Sequence, residues 1–240
     1  DEELFRGRGA SSYRGTVKAR LSCEGFPPDE LDELERTDAS LIPRVEWPMP
    51  ERFANLADGD ELRYGGYRMR AVDTPGHTPG HQCLYLPDQK VMFYGDHLLM
   101  NSSPNMAPFP GEADSLGDYL RSLDKVAQLP VEFACMGHGF VDPRRQAEAM
   151  PERIAWLQRH HRQRLDEIAA QLEERPGMTG TELAKSITWN IPHAAWEEIP
   201  IIQRWIVVCE TLAHLDHLMG EGRVRRERAA DAYRYFMEQR

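Results

Sequence analysis

Hydrophobic and polar positions alternate most clearly between residues 56 and 95. There "YRMRAVDT" and "HQCLYLPDQKVMFYGD" read as half-buried strands separated by turn residues. The second stretch predicts a hairpin, with strands Gln82 to Leu86 and Lys90 to Tyr94 around a turn at Pro87 to Gln89. A short strand between "DGDEL" and "YGG" precedes them. In "DSLGDYLRSLDKVAQL" apolar residues at 116, 119, 120, 123, 126 and 127 mark one face of a helix. "VEFACMGHG" follows as a buried strand ending in a histidine between glycines.

The texture changes near Pro143. From there to Arg175 the pattern is helical and charged, and Pro151 is expected in the first turn of the main helix. "TGTELAKSI" predicts a short capped helix, and "IPIIQRWIVVCETLAHLDHLMGEG" a long apolar one. "GRVRRE" reads as a strand or wing and "AADAYRYFMEQ" as a last helix. Residues 1 to 55 are weakly periodic, with a short acidic helix in "PPDELDELERTD" and an extended run in "LIPRVEWPMPERF". The division expected is an α/β part over residues 1–147 and a helical part over 148–240.

With 240 residues, 41% hydrophobic and 28% charged, the composition is that of a globular protein able to bury a core. A net charge of -10 argues against a general nucleic-acid or anionic-membrane binder, leaves a local basic patch open, and is compatible with a small-molecule substrate as the partner. Cys23, Cys83, Cys135 and Cys209 lie far apart without a CxxC pair, which fits a reduced, cytoplasmic protein.

Three candidate metal ligands end predicted strands behind glycines: His77 in "TPGHTPGH", Asp96 in "FYGDH" and His138 in "MGHG". Singly, each reads as a turn residue. In order, each after an apolar strand, they form the His/carboxylate mixture that Zn²⁺ accepts. No GxSxG elbow or Cys–His pairing offers a side-chain nucleophile instead.

On these motifs the chain resembles the metallo-β-lactamase-fold hydrolase superfamily, in its hydroxyacylglutathione hydrolase and lactonase branch, over about residues 1 to 142. The resemblance implies an α/β, four-layer αββα sandwich with two divalent metals, Zn²⁺ first and Fe or Mn as alternatives. His77 would bind one metal, Asp96 would bridge both as the catalytic residue, and His138 would bind the second. His81 would support the loop that presents His77. Asn105 and Met106, in the proline-rich "NSSPNMAPFPG" run, would belong to a substrate-lining loop.

The family's earlier H-x-H-x-D-H loop has no counterpart, since no histidine precedes His77. Because "DEELFRGRG" resembles the stretch after that loop, an N-terminally trimmed chain is expected, one that exposes an apolar sheet edge. The "AHLDHL" echo (His214, Asp216, His217) lies inside a predicted helix and reads as structural, and His160 and His161 as solvated. The C-terminal part resembles a small winged-helix-like domain, read as a packing or homodimerisation element. The function implied is hydrolysis of a thioester, lactone or other ester by a metal-activated water. A metal-dependent phosphodiesterase or ribonuclease, and a non-catalytic scaffold, are the alternatives.

Overall fold

The computed structural model describes residues 8–41, 54–109, 111–139, 142–191 and 195–238. The predicted extended run at 42–53 lies outside them. Five strands form one sheet in chain order: β1 (Glu61–Tyr64), β2 (Tyr67–Asp73), β3 (Gln82–Leu86), β4 (Val91–Gly95) and β5 (Phe133–Met136). The first four pair antiparallel, and β5 pairs parallel to β4. A parallel neighbour needs a crossover, here helix α3 (Ser115–Ala127), whose N-cap Asp114 accepts from the Gly117 amide at 2.8 Å.

Strand residues alternate between faces, so the register assigns each side chain. Val72, Cys83, Tyr85, Met92, Tyr94 and Ala134 share one buried face. Leu116, Tyr119, Leu123 and Val126 of α3 are buried as well. The opposite face carries Tyr64, Tyr67, Met69, Leu86, Val91, Phe93, Phe133 and Cys135, which line a groove of about 550 Å³. It holds no charged side chain in these positions, and Tyr64, Tyr67 and Phe93 are exposed. The apolar exposure expected at a sheet edge therefore falls on a face.

By contact the chain divides into two compact units. One comprises residues 54–106 and 114–162 and contains this sheet; the other comprises 1–53, 107–113 and 163–240. The second unit is helical: α1 (Arg8–Cys23), α2 (Pro28–Leu41), the end of α4 (Pro143–Glu174), α5 (Gly180–Ser186) and α6 (Ile201–Gly220), closed by a hairpin of β6 (Val224–Arg228) and β7 (Tyr233–Met237). Thr179 and Glu182 form the capping box that starts α5. Val208, Leu212 and Leu215 of α6 are fully buried, while Trp205 is half-buried. No described helix is long and apolar enough to cross a membrane.

Three local expectations change. Helix α1 is absent from the pattern because only Val17 and Leu21, one turn apart, are buried among its described side chains. Within "AADAYRYFMEQ" residues Tyr233–Met237 form a strand: Tyr235 and its aromatic neighbours pair with β6, and β-sheet packing overrides the helical reading. Helix α4 starts at Pro143 rather than near Pro151, which sits in its interior and leaves Ala147 without an amide partner four residues on.

Candidate metal centre

Strand direction brings the candidate residues together. Because β2 and β4 are each antiparallel to β3, and β5 is parallel to β4, three strands run the same way and end on one rim. His77 follows β2, Asp96 follows β4 and His138 follows β5. The Asp96 carboxylate lies between the two histidines. His77 Nε2 is 3.8 Å from Oδ2, and His138 Nε2 is 3.1 Å from Oδ1. The side chains are 28%, 38% and 73% exposed for His77, Asp96 and His138, so the cluster opens to solvent.

The glycines beside these residues are there for space. A Cβ on Gly76, whose φ is +136°, would come within 2.5 Å of the Tyr119 Cβ and 2.7 Å of its Cα. Only glycine lets the turn before His77 lie on the backbone of α3. A Cβ on Gly137 would come within 2.7 Å of Asp96 Oδ1, so the strand end bearing His138 rests directly on the carboxylate.

Ring orientation is set by partners behind the cluster. His77 Nδ1 is 2.9 Å from the Asn105 carbonyl oxygen. A carbonyl only accepts, so Nδ1 carries a proton, and when the ring is neutral Nε2 is the nitrogen that offers a lone pair on the Asp96 side. His81 is the second histidine of the repeat. Its Nδ1 is 2.7 Å from Thr74 Oγ1, which in turn is 3.3 Å from Cys83 Sγ. Burial, then the neighbouring His77, lowers its pKa, with Asp96 opposing. It thus ties the loop to the sheet interior. His97, next to Asp96, is fully buried; desolvation first and then His81 and His77 push its pKa down to about 3.

Of the two residues expected in a substrate-lining loop, Asn105 is half-buried and Met106 lies away from solvent. The structure buries Met106 completely and uses the Asn105 main chain on His77. A backbone carbonyl leaves no residue-type signature, so no sequence signal could have shown this role. His161 is buried rather than solvated, edge-on to Tyr119 with ring centroids 5.5 Å apart, and His160 stacks on Trp156. The "AHLDHL" residues turn to separate partners: His214 Nδ1 to the Glu210 carbonyl, Asp216 to Arg20, and His217 toward Glu221.

A model of the Metallo-beta-lactamase superfamily matches residues 11–138. The structure superposes on a metallo-beta-lactamase family protein of Thermus thermophilus with a TM-score of 0.70 and 30% identity, covering 93% of this chain and 64% of that one. Over 178 residues the sequence is 26% identical to a Beta-lactamase-like protein 2 homolog of Caenorhabditis elegans, covering 72% of this chain and 56% of the relative. Over 93 residues it is 34% identical to a Hydroxyacylglutathione hydrolase of Cereibacter sphaeroides, covering 38% of this chain and 34% of that one. The chain therefore spans less than two thirds of each of these proteins.

Proposed function

The chain belongs to the metallo-beta-lactamase superfamily, and on that premise we propose that it serves metal-dependent hydrolysis of a thioester, lactone or other ester. The observation that carries this reading is the Asp96 carboxylate, with each oxygen facing the Nε2 of a different histidine. Two imidazole nitrogens and a carboxylate are the donor mixture of a Zn²⁺ site, and Fe or Mn would take the same atoms. The set fits a cation in a second respect: His77 has its other nitrogen committed to a carbonyl, the support that metal-bound histidines usually have.

In this reading His77, Asp96 and His138 would hold the divalent ions, with the Asp96 carboxylate common to both histidines. A bound ion would supply an acidified water and a Lewis acid for the substrate oxygen. The chain's own residues do the positioning. The Asn105 carbonyl fixes the His77 tautomer, the Thr74–His81 pair holds the loop, and Gly76 and Gly137 let the strand ends close on Asp96. Thioesters head the substrate classes because a hydroxyacylglutathione hydrolase is among the relatives. We read the order α5, α6, β6–β7 as winged-helix-like. Arg225 pairs with Glu227, and Arg234 with Asp231 and Glu182, which suits packing better than nucleic-acid contact.

Titration with Co²⁺, followed by its visible absorption, tests the site, and thiol release from an acyl thioester tests the chemistry. Asp96→Ala is expected to lose cobalt binding and any metal-dependent thiol release. His217→Ala is expected to keep both, because that residue faces Glu221. Cobalt binding that survives Asp96→Ala unchanged would overturn the ligand assignment.

A further inference from the structure

We propose that Arg153 is a positioning residue for His77, acting from helix α4 through the loop of residues 99–105. The inference rests on the metal reading of His77 above. Both ends of the loop are anchored, since Leu98 and Met106 are fully buried. Between them, among the described residues, no hydrogen bond joins one main-chain group to another. Pro104 is buried too, and ahead of it the path is fixed by the Arg153 guanidinium. Its Nε donates to the Leu99 carbonyl at 2.7 Å, and its Nη2 donates to the Ser102 carbonyl at 2.6 Å. Three residues later the Asn105 carbonyl accepts from His77 Nδ1 at 2.9 Å. The guanidinium is itself held over the Trp156 ring, 4.4 Å from its centroid, one helical turn along α4.

The chemistry of this chain is specific to arginine. Two carbonyls three residues apart are gripped by two N–H groups in the fixed plane of one fork, which a lysine ammonium on a flexible stem does not reproduce. If the fork is lost, residues 99–105 lose their only described tie to the helix. The Asn105 oxygen is then placed only by the burial of its neighbours Pro104 and Met106, and its aim at His77 is less sharply set. His77 can hold its proton on either nitrogen, and Nε2 is available as a lone pair only part of the time. Loss of an outer partner of a metal-binding histidine typically weakens metal binding by roughly 10–100-fold. Arg153 acts one step further out, so an effect of about tenfold is expected, at the lower end of that range.

The test reads the ring directly and needs no metal. Long-range ¹H–¹⁵N spectra of the histidine-labelled, metal-free chain report which nitrogen of His77 carries the proton. At a pH alkaline enough for the ring to be neutral, the wild-type chain should show the single Nδ1–H form. Arg153→Met should show a mixture of tautomers and bind Co²⁺ about tenfold more weakly. Arg153→Lys keeps the charge and most of the stem, guards against a folding defect, and should restore neither readout. Gln158→Ala removes a bond on the same helix, from Gln158 Nε2 to Asp124 Oδ1, and should leave both unchanged. A single Nδ1–H form retained in both Arg153 variants would overturn the proposal, whatever the metal does. A mixed tautomer in those variants, with no Co²⁺ bound even by the wild type, would support Arg153 as the positioning residue and overturn the metal reading.

Discussion

Asp96 and Glu24 each sit at the centre of a polar cluster, one in each unit, and they are supplied in opposite ways. Glu24 is fully buried and surrounded by donors. Arg20 Nε lies 2.8 Å from Oε1, and the Tyr235 hydroxyl lies 2.9 Å from both carboxylate oxygens. Arg20 also holds Asp216 at 2.9 Å, and Arg226 approaches Glu24 at 3.8 Å, so two cations face two anions. Burial, then the adjacent Glu24 charge, pushes the Tyr235 phenol above its ordinary range, which keeps it a donor. Asp96 is half-exposed and meets histidine nitrogens instead. One of these rings has its other nitrogen committed to the Asn105 carbonyl. A cluster whose donors and acceptors balance is a structural tie. A cluster in which acceptors converge on open space is short of a positive charge.

The sharpest way to break this contrast is to remove Glu24. Glu24→Leu removes the buried partner that Arg20 and Arg226 share and leaves Arg20 with Asp216 alone, and breaking a buried ion pair from one side typically costs about 3–5 kcal/mol. Urea unfolding should show that loss; a change below about 1 kcal/mol would mean that water already relieves the cluster. Next in size is the metal effect at the other cluster. Zn²⁺ at about 100 times its dissociation constant adds about 2.7 kcal/mol to stability, equivalent to a melting shift on the order of 5–10 °C. A chelator should reverse the shift, and Asp96→Ala should not show it. An equal shift in that variant would place the ion elsewhere.

The sequence shows one of these clusters better than the other, for a physical reason. His77, Asp96 and His138 each end a strand in a short glycine-flanked motif, and the alternating pattern that defines those strands also sets their rim. The glycines carry the signal because the backbone packs against Tyr119 and Asp96 there. Glu24 and Tyr235 are separated by 211 positions, and neither lies in a motif. The pattern around Tyr235 moreover reads as a helix, because β7 depends on pairing with β6 that no local signal announces. Arg153 and its loop partners are 51 and 54 positions apart and meet through main-chain oxygens, which have no letter in the sequence. Helix α1 escapes the pattern because two buried apolar residues suffice to dock it when Arg20 supplies the rest through ion pairs.

A smaller change refines the Glu24 side. Tyr235→Phe removes one hydroxyl and keeps the ring, so both Glu24 oxygens lose a donor while Arg20 remains. Leaving a buried acceptor short of its partner costs about 1–3 kcal/mol, less than deleting the charge and well outside the error of an unfolding curve. The loss should vanish in the Glu24→Leu background, where the hydroxyl has no carboxylate to serve. A full loss in both backgrounds would show that the hydroxyl acts through another group.

The smallest expected effect is the most telling for Asp96. In metal-free solution Asp96→Ala removes a carboxylate that is 38% exposed, and the side chains facing it, His77 and His138, are themselves open to water. Neither is left as a buried unpaired charge, because solvent can take the place of the carboxylate at both Nε2 atoms. His77 also keeps its bond to the Asn105 carbonyl. The stability of the metal-free chain should therefore change by less than about 0.5 kcal/mol, the range of surface substitutions that touch no special feature. Urea unfolding with chelator present measures it. A loss near that of Glu24→Leu would make Asp96 a structural tie of the same kind, and the convergence of the two histidines on it would then need no cation to explain it.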